Sequence, residues 1–276
     1  MVLSPFTPLF FSYQHSDGTS SRYVQTFALG DQILVEIIAE KDATVSARLY
    51  SEPEHRQIYD IVFSKLAIND TKDLHFAVLS PSIGYYSVEI DNIGRSKCFH
   101  VTDDEQILDN TTLIQYSMNS NRHRMDAVFF IDGMQRFFDF RVPGGFKQSN
   151  WTFAVEGEQF VTDKSDIVQL YGLESTQQKF TLGNSEGCPV WFAELLNRLL
   201  CCTYVYFNGV RYARKDASVP EMTVLLEGVN SFVFTQNLQK VVNIDPTLTL
   251  RHQALMRRID NTNYRLATTN INRLIR

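Results

Sequence analysis

Cysteine is scarce: Cys98, Cys188, Cys201 and Cys202 are the whole set, and no two are spaced as C-x-x-C. That speaks against both a zinc module and a disulfide framework, so reduced thiols are expected. Long apolar runs are missing as well. No stretch reaches the ~18 residues of a membrane span, and residues 1–17 contain Pro5 and Pro8, lack a basic start and hold too short an apolar run for a signal peptide. No membrane partner is expected, and the N-x-T triplets at Asn69, Asn110 and Asn150 read as chance matches. The histidines at 15, 55, 75, 100, 123 and 252 are scattered singly, which leaves no expected metal site. A Walker loop, a G-x-G-x-x-G and a G-x-S-x-G are all lacking, so no cofactor is expected either.

Charge is modest, with 26 Lys plus Arg against 31 Asp plus Glu and a net of −5. This gives no reason to expect a general binder of nucleic acid or membrane surfaces. Its placement is uneven. From Asn243 to Arg276 six Arg face only Asp245 and Asp260, a net of +4, which leaves −9 on residues 1–242.

What the chain does have is aromatic mass: 20 Phe and 12 Tyr, which suit half-buried pleated surfaces. Short β-type runs follow one another at 32–39, 43–50, 58–67, 74–79, 85–90 and 97–101, separated by turn-forming residues, and predict a sandwich of about seven strands over residues 1–105. The acidic stretch 102–110 reads as a solvated linker. Beyond it a second β domain is expected over 111–242, with strands at 112–118, 125–131, 134–142, 177–182, 223–226 and 232–238. Asp132-Gly133 and Asn208-Gly209 are each suited to a tight hairpin turn. The second would join 203–207 to 210–214, with Val205, Phe207, Val210 and Tyr212 on one face. One helix is expected, at 189–201, opened by Pro189 and apolar through Trp191, Phe192, Leu195, Leu196, Leu199 and Leu200.

No catalytic group emerges. Cys201 and Cys202 lie where an apolar helix meets a strand and read as core residues. Asp103, Asp104 and Glu105 are adjacent on a linker and lack the opposed geometry of a hydrolytic pair. Asp132 and Asp139 flank a hairpin, and His123 has no partner by spacing. The segment Val142-Pro143-Gly144-Gly145-Phe146-Lys147 could present N–H groups to an anion, but it reads better as a sharp turn leaving a strand. Tyr85, Tyr86 and Trp151 are candidates for a sugar-stacking platform, with core packing as the competing reading.

The motifs Arg141-Val142-Pro143-Gly144-Gly145-Phe146, Gly187-Cys188-Pro189-Val190-Trp191, Asn208-Gly209-Val210-Arg211-Tyr212 and Val219-Pro220-Glu221 lie within residues 111–242, less than half of the chain. That region resembles structural tail proteins of tailed phages and prophages of Bacteroidetes, including crAss-like phages. For that region the resemblance implies a β-barrel or sandwich with one flanking helix, of the tail-tube or distal-tail kind, which together with the N-terminal β-sandwich read from the strand pattern makes a mainly β fold. It also implies a virion protein assembled in the host cytoplasm, forming a homo-oligomeric ring with other tail proteins as neighbours. An acidic body would let DNA pass nearby without specific binding. The alternative is a carbohydrate-binding or adhesion protein whose first sandwich is the binding module. The basic tail, 243–276, is expected to be an assembly arm that docks through Leu255, Met256, Ile259, Leu266, Ile271 and Leu274.

Overall fold

The computed structural model describes residues 1–11, 23–120, 126–131, 133–185, 187–215, 220–226 and 231–241. The expected arm, with all six of its named apolar residues, lies outside them, as do His123 and Asp132. Residues 1–240 form one compact unit.

The chain is mainly β, and its first part is a sandwich of two sheets. One sheet has the order β1 (Val2–Leu3), β3 (Ile33–Glu40), β7 (Lys72–Leu79), β6 (Ser64–Ala67). The other runs β2 (Gln25–Ala28), β10 (Phe99–Thr102), β8 (Gly84–Ile90), β4 (Ala47–Glu52), β5 (Arg56–Asp60), with β9 (Gly94–Arg95) beside β8. The single run expected at 58–67 is thus two strands in different sheets. Ile61 is buried and its N–H bonds the Ala47 carbonyl at 2.8 Å, which anchors the crossover between them. Side chains such as Ile33, Val35, Leu49, Val88 and Phe99 fill the space between the sheets.

Alternation fails on β3 for a reason. Ile33, Val35 and Ile37 point into the sandwich, while Leu34 and Glu36 on the opposite face are buried too. That opposite face, with Leu74 and Phe76 of β7, joins the core of the second half. The first sheet is therefore covered on both sides at β3, which reads as a nearly continuous apolar run, whereas the edge strand β6 is exposed.

Between the halves Asp104 caps one helical turn, α1 (Glu105–Leu108), by accepting from the Gln106 N–H at 2.9 Å. Sequence had suggested only a linker here; the acids are exposed all the same.

The second half is a closed barrel. Strand β11 (Thr111–Ser117) lies between β14 (Phe138–Val161) and β16 (Tyr204–Phe207), and β16 pairs β17 (Val210–Arg214). β17 pairs β19 (Ser231–Lys240), which pairs β15 (Ile167–Leu182), which returns to β14, so six antiparallel strands close on themselves. β18 (Glu221–Leu226) extends beside β19. The register puts Ile114, Phe140, Phe180, Phe207, Tyr212 and Leu238 on the inward face, and all are buried. Helix α2 (Val190–Leu199) packs on that face, with Phe192 and Phe140 ring centroids 5.3 Å apart.

Three local expectations are corrected. Of the strand expected at 125–131, Met125 lies outside the described residues, and within 126–131 only β12 (Phe130–Ile131) is a strand, pairing β13 (Met134–Gln135); residues 127–129 are buried but irregular, because the Val128 N–H is taken by the Glu36 carboxyl at 2.9 Å instead of a ladder partner. The segment 142–147 does not turn away but continues β14. Gly144, at φ 108°, lies so near β15 that a Cβ would fall 2.1 Å from the Thr181 carbonyl oxygen, so only glycine fits. In the 204–214 hairpin, Asn208 and Gly209 have the expected positive φ, but Val210 is exposed while Val205, Phe207 and Tyr212 face inward. The turn carries Val210 beyond the core's edge.

Candidate functional site: a projecting hairpin

β14 and β15 are far longer than the barrel needs. β11 covers β14 only to Pro143, and β19 covers β15 only from Thr176. From Trp151 to Ser175 the two strands pair as strands with each other alone among the described residues, and form a two-stranded ribbon. Its tip is tied by Thr162 and Asp166: the Thr162 N–H bonds the Asp166 carbonyl at 2.8 Å and the Asp166 N–H bonds Thr162 Oγ1 at 3.2 Å.

This ribbon exposes large apolar side chains to water. Trp151, Phe153, Val155, Phe160, Val161, Ile167, Val168 and Leu170 are all exposed, Phe153 by 77%. Trp151 pairs with Gln178 and Phe146 with Phe180, so Trp151 continues the face that is inward in the barrel. Trp151 and Phe153 stack in parallel, 6.3 Å between centroids. Exposed apolar clusters rimmed by polar groups ordinarily mark a contact surface. Acidic side chains rim it: Glu158, Asp163, Asp166 and Glu174 are exposed.

Two buried polar clusters hold the sandwich to the barrel. Arg141 of β14 donates two hydrogen bonds to Asp31, at 2.7 and 3.0 Å, and beside them Asp139 accepts from the Gln32 N–H at 2.8 Å and from Gln115 Nε2 at 3.0 Å. Burial pushes the Asp139 carboxyl up. Its partners tie β14 to β11 and to the Gln32 backbone. The second cluster centres on Glu36. This fully buried carboxyl accepts from Val128 N–H and lies 3.1 Å from Ser4 Oγ, which also bonds the Asp126 carbonyl. Desolvation raises it to about 8. Nothing in the sequence marked Glu36, since only the packing of β3 buries that face.

The other sequence candidates are dispersed. Asp103, Asp104 and Glu105 are exposed on and before α1. Cys188 and Cys202 are buried, and desolvation drives the Cys188 thiol far up; Cys201, expected in the core, is instead exposed, since it lies past the end of α2, where its thiol bonds the Asn197 carbonyl. The described residues contain no cluster of three metal-ligating side chains. Tyr86 is buried in the sandwich, Tyr85 is exposed and stacks on His100 at 4.2 Å, and Trp151 stands on the ribbon, so no single platform joins the three. The ribbon itself had no place in the sequence reading. Its signals were the alternation of Trp151, Phe153 and Val155 and the polar turn 162–166.

Neither a protein-family model nor a curated protein matches the chain. Among solved structures, "Crystal structure of Dpr2 Ig1-Ig2 in complex with DIP-Theta Ig1-Ig3" is similar at 7% identity, over 83% of this chain and 90% of that chain, with a TM-score of 0.18. At that score the likeness carries no weight for fold or function.

Proposed function

We propose that this protein is a phage virion structural subunit, a component of the tail or tail hub that works by forming a ring around the DNA channel and has no catalytic role. The observation that carries this reading is the ribbon: an apolar, edge-exposed extension of a barrel wall is costly in water and becomes favourable once a partner covers it. The motifs of 141–146 and 187–191 support the tail assignment by resemblance. The charge supports it as well, since −9 on residues 1–242 repels phosphates and lets DNA slide. Such a protein would be assembled in the host cytoplasm and reside in the virion, touching its own copies and other tail proteins. Mass photometry and negative-stain microscopy of the purified chain test this. Discrete rings are expected, and a single-chain mass at micromolar concentration would overturn the reading.

A second reading has one observation in its favour. Tyr85, exposed on the outer face of the sandwich and stacked on His100, offers a flat ring to a sugar. A glycan-array signal lost in Tyr85→Ala would favour an adhesin over a ring subunit.

A further inference from the structure

We propose that the ribbon receives the C-terminal segment, residues 243–276, of a second copy of this chain. Choosing a neighbour's segment over the chain's own rests on the assembly proposed above.

Charge is the first reason. From Trp151 to Ser175 five carboxylates stand against Lys164 alone, a net of −4, while 243–276 carries six Arg and a net of +4. With −9 on residues 1–242, that segment is the basic stretch of the chain and the natural complement of the acidic ribbon. Chemistry along the segment is the second. Its Arg residues alternate with Leu255, Met256, Ile259, Leu266 and Leu274, which suits a surface where Phe153 and Val155 are flanked by Glu158 and Glu174. A basic segment meant for DNA needs no such apolar content.

The strand edges supply the third reason. β19 ends at Lys240 opposite Thr176, so beyond Thr176 β15 is paired as a strand only with β14 among the described residues. An extended peptide can add to such an edge through main-chain bonds, while the neighbouring pockets select its side chains. Length is the fourth: 34 residues reach up to ~110 Å when extended, against ~35 Å for an eleven-residue strand of the ribbon. The segment can leave one subunit and still lie along the ribbon of the next.

The test uses the full chain with a benzoylphenylalanine photocrosslinker in place of Phe153. Equal amounts of isotopically light and heavy protein are denatured, mixed, refolded and irradiated. Cross-links from position 153 into 243–276 are expected, with about half of the linked pairs combining a light and a heavy copy, as random exchange requires. Pairs of one label only would assign the segment to its own chain and overturn the proposal, as would cross-links from ribbon to ribbon. Mass photometry on the same sample separates the two claims. Rings without cross-links into 243–276 overturn this inference and leave the assembly standing, whereas a single-chain mass overturns both. Val155→Glu in the same chain should cut the mixed cross-links at least tenfold with an unchanged melting temperature, and retention of those cross-links would also overturn the docking.

Discussion

Phe146 and Phe153 share a strand, and the register with β15 puts both on the same face, yet their surroundings differ completely. Phe146 meets Phe180 at 5.1 Å, Phe207 at 5.6 Å and Tyr212 at 4.7 Å inside the barrel; Phe153 is 77% exposed. The strand is the same, and only closure of the sheet differs. Where β11 and β19 complete the ring, the apolar face becomes a core; where they stop, the same face becomes an exposed surface. A closed core and an exposed apolar surface thereby occupy separate stretches of one hairpin.

The strongest break of this comparison pairs two substitutions. Phe207→Ala should cost ~3–5 kcal/mol, because a large ring leaves a closed core, whereas Phe153→Ser should lie within ~0.5 kcal/mol of the parent and abolish ring formation. Urea unfolding and mass photometry on both variants check this. Equal stability losses would mean that the ribbon belongs to the core.

Next in size is the proton on Glu36. Its ordinary value of 4.5 applies to the unfolded chain, and burial raises it to about 8 in the folded one. The carboxyl therefore contributes stability that is fully present below about 4.5 and is lost as pH rises through about 8. The change is on the order of 3–5 kcal/mol. Glu36→Gln keeps a neutral group with a donor toward Ser4 Oγ, so this part of the pH dependence should vanish in the variant. Denaturant midpoints at pH 5 and pH 9 for both proteins decide the matter.

Arg141→Ala leaves the Asp31 carboxylate buried without its charge partner and should destabilise by ~3 kcal/mol. Asp31→Asn with Arg141→Met should recover part of that loss, and a melting comparison of the single and double variants measures the coupling. The smallest effect is expected at Gly209, where φ is 78° and no atom stands within 4 Å of an added Cβ. Gly209→Val is strained by backbone alone, at ~1–2 kcal/mol, visible as a lower melting temperature; an unchanged melt would contradict the turn geometry.

Some of the molecule was legible before any coordinates. α2 was readable because Pro189 and an uninterrupted apolar face leave few alternatives, and the 204–214 hairpin because Asn208-Gly209 favours one turn. The split of 58–67 into β5 and β6 was not, since one short apolar run looks alike whether it stays in a sheet or crosses to another. The course of β14 through Gly144-Gly145 was also hidden. Adjacent glycines signal a turn by composition, while here they admit the close approach of the Thr181 carbonyl and let the strand run on.

By itself the sequence determined the mainly β class, the one long helix, the tight turns and the opposite charges of body and tail, because all of these follow from local residue pattern and composition. The tertiary structure alone decided that the strands close into a barrel, that β3 is buried on both faces with Glu36 among apolar groups, and that β14 and β15 outrun their neighbours. Those outcomes depend on which distant strand lies alongside. A local pattern records whether a side chain prefers to be covered, and only the assembled sheet shows what covers it.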